Sequence, residues 1–157
     1  MKIIGVQDYY ADDLSYCYGC GRLNHTGHQI KTRWDGNETL STFTPKPEHT
    51  AIPGFVYGGL LASLIDCHGT GSAALAFAKE NKIELKEFNA PRFVTGSLKV
   101  NYLKPTPMGV ELQIRGKIKE VKTRKVITNI ELLANGVVCA TGEVLAVLIP
   151  ENFGKKK

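Results

Sequence analysis

The segment Gly54-Phe55-Val56-Tyr57-Gly58-Gly59-Leu60-Leu61-Ala62-Ser63-Leu64-Ile65-Asp66 carries the residue types best suited to chemistry. Gly58 and Gly59 open a helical pattern, where free backbone N–H groups and the positive end of the helix dipole can hold an anion or a developing oxyanion. Seven residues beyond Gly59, Asp66 stands in an otherwise apolar stretch. An ionised carboxylate there is costly unless it is paired, faces a cavity or has a chemical task. The plainer alternative is a carboxylate that caps or hydrogen-bonds a neighbouring loop. His68 follows two positions later and points to a different side of the helix, so it is a weak substitute. At the helical rise per residue, Gly58 and Asp66 stand ~12 Å apart, too far to act on one carbonyl carbon. A shared site therefore needs Gly58 from one chain and Asp66 from another.

A second constellation is Cys17-x2-Cys20-x4-His25-x2-His28, whose ligand types and first spacings suit zinc. The preferred reading is a packed N-terminal loop with the cysteines as small hydrophobes and no bound metal. Four cysteines in a chain without a secretory leader are better read as reduced thiols than as a disulfide framework.

The elements that must position these groups are legible from periodicity and turn chemistry. His28–Trp34 and Glu38–Phe43 flank Asp35-Gly36-Asn37, a hairpin signal. Prolines 45, 47 and 53 forbid a regular element over Thr44–Gly54. From Phe55 to about Ala78, Leu60, Leu61, Leu64, Ile65 and Leu75 recur at helical intervals among small residues. Such a helix, apolar nearly all round, belongs in a core, and Gly69 and Gly71 suggest a bend or a close contact. Residues 79–92 are a connection or a short extra helix. Strands follow: Leu98, Val100 and Tyr102 alternate with Ser97, Lys99 and Asn101, then come Val110–Val121, Lys125–Leu133 and Val137–Ile149. Asn135-Gly136 marks a type I′ hairpin turn, and the last three strands form an antiparallel meander. The expectation is an α+β architecture, a single helix on one strongly curved sheet.

The sequence resembles the hotdog-fold acyl-CoA thioesterases, in particular the phenylacetyl-CoA thioesterase-like (PaaI-like) branch. The residues that carry the resemblance are Tyr57-Gly58-Gly59 ahead of Asp66, the strand Phe93-Val94-Thr95-Gly96-Ser97-Leu98-Lys99-Val100-Asn101-Tyr102-Leu103-Lys104-Pro105, and the opening Cys17-Tyr18-Gly19-Cys20-Gly21. It spans about residues 17–148. It implies the hotdog fold: one long central helix wrapped by a curved antiparallel sheet of five to six strands, dimerised edge to edge and often paired again into tetramers. It implies further that Asp66 is nucleophile or general base, that Gly58 donates to the oxyanion, that Thr95 positions the attacking water and that Tyr57 hydrogen-bonds the thioester. The implied reaction is hydrolysis of an acyl-CoA to free acid and CoA, with no cofactor beyond the CoA of the substrate. Gly59, Lys99, Asn101, Lys122, Arg124 and Lys125 are the expected substrate-binding residues, the cations serving the CoA phosphates. Two positions depart from the family pattern. Tyr57 replaces a histidine, and a phenol with a pKa near 10 does not exchange protons at neutral pH. Ala51 stands where some relatives carry an asparagine. Both favour the alternative function, a non-catalytic acyl-CoA-binding sensor or carrier.

Composition frames these readings. The chain has 157 residues, enough for a single domain (1–157), comprising an N-terminal loop segment at 1–27, the hotdog core and a basic flexible tail at 150–157. Twenty Lys and Arg against 15 Asp and Glu leave +5. Lys155–Lys157 and residues 111–125 hold that excess, which suits a phosphorylated carrier more than nucleic acid, for which no motif is present. No run approaches the ~18 apolar residues of a membrane span, the longest candidate being the short Val144–Ile149 segment, and a cytoplasmic protein without membrane insertion is expected.

Overall fold

The computed structural model describes residues 2–154. Three short 3-10 turns, Val6–Tyr9, Asp12–Leu14 and Pro47–His49, accompany seven regular elements. These are β1 (Arg33–Asp35), β2 (Glu38–Phe43), α1 (Gly58–Glu80), β3 (Phe93–Tyr102), β4 (Leu112–Val121), β5 (Lys125–Ala134) and β6 (Val137–Leu148). The strands form one sheet in the order β1-β2-β4-β5-β6-β3, every neighbouring pair antiparallel. This is the hotdog arrangement with six strands and one helix.

Local chemistry explains the turns. Asn135 and Gly136 both adopt positive φ (51° and 75°), as a type I′ turn requires, and they set the β5–β6 register from Ala134↔Val137 onward. Gly36-Asn37 closes β1 on β2 as expected, but β1 is only three residues long. Residues 28–32 run as irregular chain instead, and their backbone groups bond to the N-terminal loop: Ile30 N–H donates to Gly19 and His28 N–H to Tyr18. The stretch 81–92 contains no helix.

α1 is buried along most of its length, with Leu60, Leu64, Ile65, Ala73 and Ala74 at or near zero exposure against β3, β4, β5 and β6. By length and composition α1 is also long and apolar enough to cross a membrane, contrary to the expectation that no stretch is, yet most of it is buried inside the fold. Small residues permit that closeness. A Cβ on Gly69 would run into Val144 of β6, and one on Gly71 would meet Thr32 Oγ1 at 2.6 Å and Gln7 Nε2 at 2.8 Å. The two glycines therefore mark close contacts, and α1 continues through both.

One irregularity positions the site. A bulge between Thr95 and Ser97 in the β3–β6 pairing inserts an extra residue at Gly96. Strict alternation along Lys99, Ser97 and Thr95 would send all three to the outer face. The extra residue turns Thr95 inward to α1, on the same side as Leu98, Val100 and Tyr102.

Candidate active site

Asp66 lies half-buried on α1, and the Thr95 hydroxyl on β3 donates a hydrogen bond to its Oδ1. The acid in the apolar helix thus has a partner on the edge strand and not in a loop. Eight residues earlier the helix begins at Gly58, and the N-cap Tyr57 offers no side-chain hydrogen bond to the first turn. The donors there remain available. The two glycines make room for tyrosine rings: a Cβ on Gly59 would collide with the ring of Tyr57, and one on Gly58 would meet the ring of Tyr102 at 3.3 Å. Tyr102 Oη donates to the Gly58 carbonyl at 2.7 Å and pins the helix start to the far end of β3. A cleft of about 360 Å³ opens at that point between Gly58, Leu61, Tyr102 and Thr106.

Within one chain, then, Thr95 and Asp66 occupy the beginning of β3 and Gly58 with Tyr102 its end. Seven residues of strand with one bulge separate these ends by roughly 20 Å. Tyr57 is exposed and lines a second cleft of about 480 Å³ with Tyr18, His28, Phe43 and His49. The His28 ring sits 5.2 Å from that of His49 and 5.1 Å from that of Phe43. Burial, with His49 and Lys46 nearby, holds the His28 pKa below the usual imidazole value. His49 carries no spacing signal that would single it out in the sequence. Ala51 is exposed in the loop before α1.

The expected phosphate-binding residues separate into two groups. Lys122, Arg124 and Lys125 are exposed at the β4–β5 turn, where Arg124 donates to the Leu148 carbonyl and Leu148 pairs with Phe93 at the start of β3. They share the end of the sheet with Thr95. Lys99 and Asn101 instead line a groove of about 400 Å³ on the outer sheet face, with Arg115, Lys117 and Glu143. The bulge at Gly96 puts them on the side away from Asp66. Arg115, Lys117 and Lys119 meet Asp35, Glu38 and Glu143 at 3.0–3.6 Å, so that charged strand face is a set of ion pairs at the surface.

His68 is absent from the site. Its ring is fully buried, Nδ1 lies 2.7 Å from Ser41 Oγ, Nε2 lies 3.0 Å from Thr39 Oγ1, and Thr39 reaches Ser72 at 2.7 Å. Burial pushes its pKa down to about 3. The folded-state value lies below the unfolded one, so its contribution to stability is complete above about pH 6.5 and is lost as the pH falls toward 3, at roughly 1.4 kcal/mol per unit. Ring-proton NMR of the folded protein is expected to show one histidine that does not titrate between pH 7 and 4.5. Four histidines all titrating near 6.5 would overturn this assignment.

The cysteines regroup. Cys17 and Cys20 do not join His25, which is exposed, or His28, which meets Phe43 edge to face; they meet Cys67 of α1, and the three sulfurs lie within 4.8 Å of one another. Hydrogen bonds from the Cys20 and Cys67 thiols hold Cys17 far below the usual thiol range. The same contacts raise Cys20 to about 12 and Cys67 well above its ordinary value. Linear spacing conceals Cys67, which lies 50 residues from Cys17.

Comparison with known proteins identifies the family. The thioesterase superfamily profile matches residues 53–141, a stretch that includes the helix start, Asp66, Thr95 and all of β3. The acyl-coenzyme A thioesterase THEM4 of Xenopus laevis is 30% identical over 90 residues, 57% of this chain and 35% of that protein, so the chain spans about a third of the length of this curated relative. A thioesterase superfamily protein from Shewanella loihica PV-4 is 50% identical, with a TM-score of 0.67 over 88% of this chain and 98% of that one. The PaaI protein of E. coli shares the fold at 18% identity, with a TM-score of 0.59 over 78% of this chain and 81% of that one. With its match covering more than half of its residues, the Asp66 helix included, the chain belongs to the thioesterase superfamily.

Proposed function

We propose that the protein hydrolyses acyl-CoA thioesters in a site shared between two copies of the chain. The observation that carries this reading is the placement of Asp66–Thr95 at one end of an edge strand and of the uncapped helix start at its other end. Antiparallel pairing of β3 with its copy, about an axis near mid-strand, puts each Gly58 beside the partner's Asp66. Support comes from the edge itself, where Leu98 and Tyr102 are 39% and 55% exposed on a ten-residue strand with one side unpaired among the described residues. Long apolar edges of this kind invite strand addition. A further pairing of dimers is compatible with the outer face but rests on the family resemblance alone.

In that arrangement the Gly58 N–H and the helix dipole receive the thioester oxygen and stabilise the tetrahedral oxyanion. Asp66 either deprotonates a water or attacks the carbonyl carbon itself, with Thr95 holding the carboxylate or the water in line. Collapse of the intermediate breaks the C–S bond, and the CoA thiolate leaves and takes up a proton from solvent. Attack by water yields the free acid directly, whereas attack by Asp66 leaves a mixed anhydride that a second step, addition of water, splits into free acid and the regenerated carboxylate. Tyr57 hydrogen-bonds the bound thioester through its hydroxyl. Lys122, Arg124 and Lys125 hold the nucleotide phosphates, being exposed cations at the Thr95 end of the sheet.

Thiol release from short, aromatic and long acyl-CoAs tests the reading. Turnover of at least one class is the expected result. Tight binding of acyl-CoAs with no thiol release from any of them would instead establish the sensor or carrier function that Tyr57 and Ala51 favour.

A further inference from the structure

Cys17, Cys20 and Cys67 have no part in the chemistry above, yet they converge from a loop and a helix on one point beside Asp66. Cys17 Sγ and Cys67 Sγ are 3.8 Å apart, and Cys20 Sγ lies within 4.8 Å of both. Sulfurs bound to one tetrahedral zinc at about 2.3 Å stand ~3.8 Å from each other, the length of a tetrahedral edge. Bonded sulfurs would be far closer, about 2.05 Å. The loop has the form of a metal knuckle: Cys17-x2-Cys20-Gly21 turns tightly through a Gly21 N–H···O=C Cys17 bond of 2.7 Å. A side chain at Gly19 would collide with the Cys67 sulfur, and one at Gly21 would meet Cys17 N at 2.5 Å, so both glycines are needed to seat the loop.

We propose that Cys17, Cys20 and Cys67 form a thiolate site for a zinc ion, which fastens the N-terminal loop to α1 at the residue after Asp66. Cys20 and Cys67 are buried and Cys17 half-buried, so the fourth vertex faces the open side of the loop and takes a solvent molecule. Among the described residues no other His, Cys, Asp or Glu joins the cluster. Binding displaces the thiol protons, and three thiolates with one Zn²⁺ carry a net charge of −1. Arg92, half-buried with its guanidinium 4.9 Å from the centre of the Tyr10 ring, is a cation within electrostatic reach of the cluster and offsets that charge. The soft ligand set suits zinc and excludes the oxygen-seeking Ca²⁺ and Mg²⁺.

Metal-stripped, reduced full-length protein titrated with Co²⁺ as a spectroscopic probe provides the test. One equivalent is expected to give sulfur-to-cobalt charge transfer and the intense visible bands of a tetrahedral site, both abolished by one equivalent of Zn²⁺. Cys17→Ser is expected to weaken zinc binding more than about 100-fold, beyond the loss typical of an outer-shell partner. Cys139→Ser, altering a buried thiol on β6 outside the cluster, is expected to leave the titration unchanged. Should Cys17→Ser fail to fold, Cys17→His is the substitute variant, expected to retain a tetrahedral spectrum with weaker charge transfer. Octahedral cobalt spectra, unchanged binding in a folded Cys17 variant, or a stoichiometric Cys17–Cys67 disulfide in freshly isolated protein would each overturn the proposal.

Discussion

Asp66→Asn is expected to lower kcat for acyl-CoA hydrolysis by about 10²–10⁴-fold, the range contributed by a positioned acid or base. The substitution preserves shape and leaves an amide oxygen to accept the Thr95 hydroxyl, so the fold and the binding of acyl-CoA are expected to persist. A nucleophile or base removed in this way acts only in the reacting complex, so the loss falls on kcat more than on KM. Steady-state thiol release, with a denaturation curve as the control for folding, measures both. Wild-type kcat in a folded Asp66→Asn protein would remove the carboxylate from the reaction and leave its bond to Thr95 as a structural tie between α1 and β3.

Mixing two inactive variants is expected to restore activity. Gly58→Pro deletes the proposed oxyanion donor at the first helical position, where proline is accepted without breaking the helix, and is expected to cost about 10²–10³-fold in kcat. When it is re-associated with Asp66→Asn, random pairing makes half of the dimers mixed. Each mixed dimer pairs the intact Gly58 of one chain with the intact Asp66 of the other in one of its two sites, giving roughly a quarter of wild-type activity. A site contained in one chain predicts no recovery. The distinction rests on distance: Gly58 and Asp66 share a helix and stand ~12 Å apart on it. Because the readout compares a mixture with its own components, a moderate loss of stability in either variant does not mimic recovery.

Much of the architecture was legible because each element has its own local cause. The Asn135-Gly136 turn follows from two residues that tolerate positive φ, and the burial of α1 follows from a helical pattern with no wide polar face. Gly69 and Gly71 were readable as a bend or a close contact because glycine in a helix is otherwise unfavourable, and the packing against Val144 and Thr32 decides for contact. What local pattern missed are long-range events. His28–Lys31 looks like strand but gives its hydrogen bonds to the N-terminal loop, a competitor that periodicity does not register. Lys99 and Asn101 share a strand with Thr95, and only the bulge at Gly96 sends them to the other face. His68 could be set aside from its angle on the helix, but both of its hydroxyl partners, Thr39 and Ser41, come from β2, 29 and 27 residues away in sequence.

The candidate site divides in the same way. Asp66, Gly58 and Gly59 announce themselves in the sequence because a lone acid in an apolar helix, and a glycine pair at its start, are each costly without a purpose. The excess of positive charge at 111–125 was equally plain. Only the folded chain could decide which of those cations pair with acids on β1, β2 and β6 and which remain exposed at the β4–β5 turn, because a strand's partners are set by sheet order. Only the folded chain could bring Cys67 to Cys17 and Cys20, or Thr95 to Asp66. Contacts between residues far apart in sequence are products of packing, and no residue's own conformational preference encodes them.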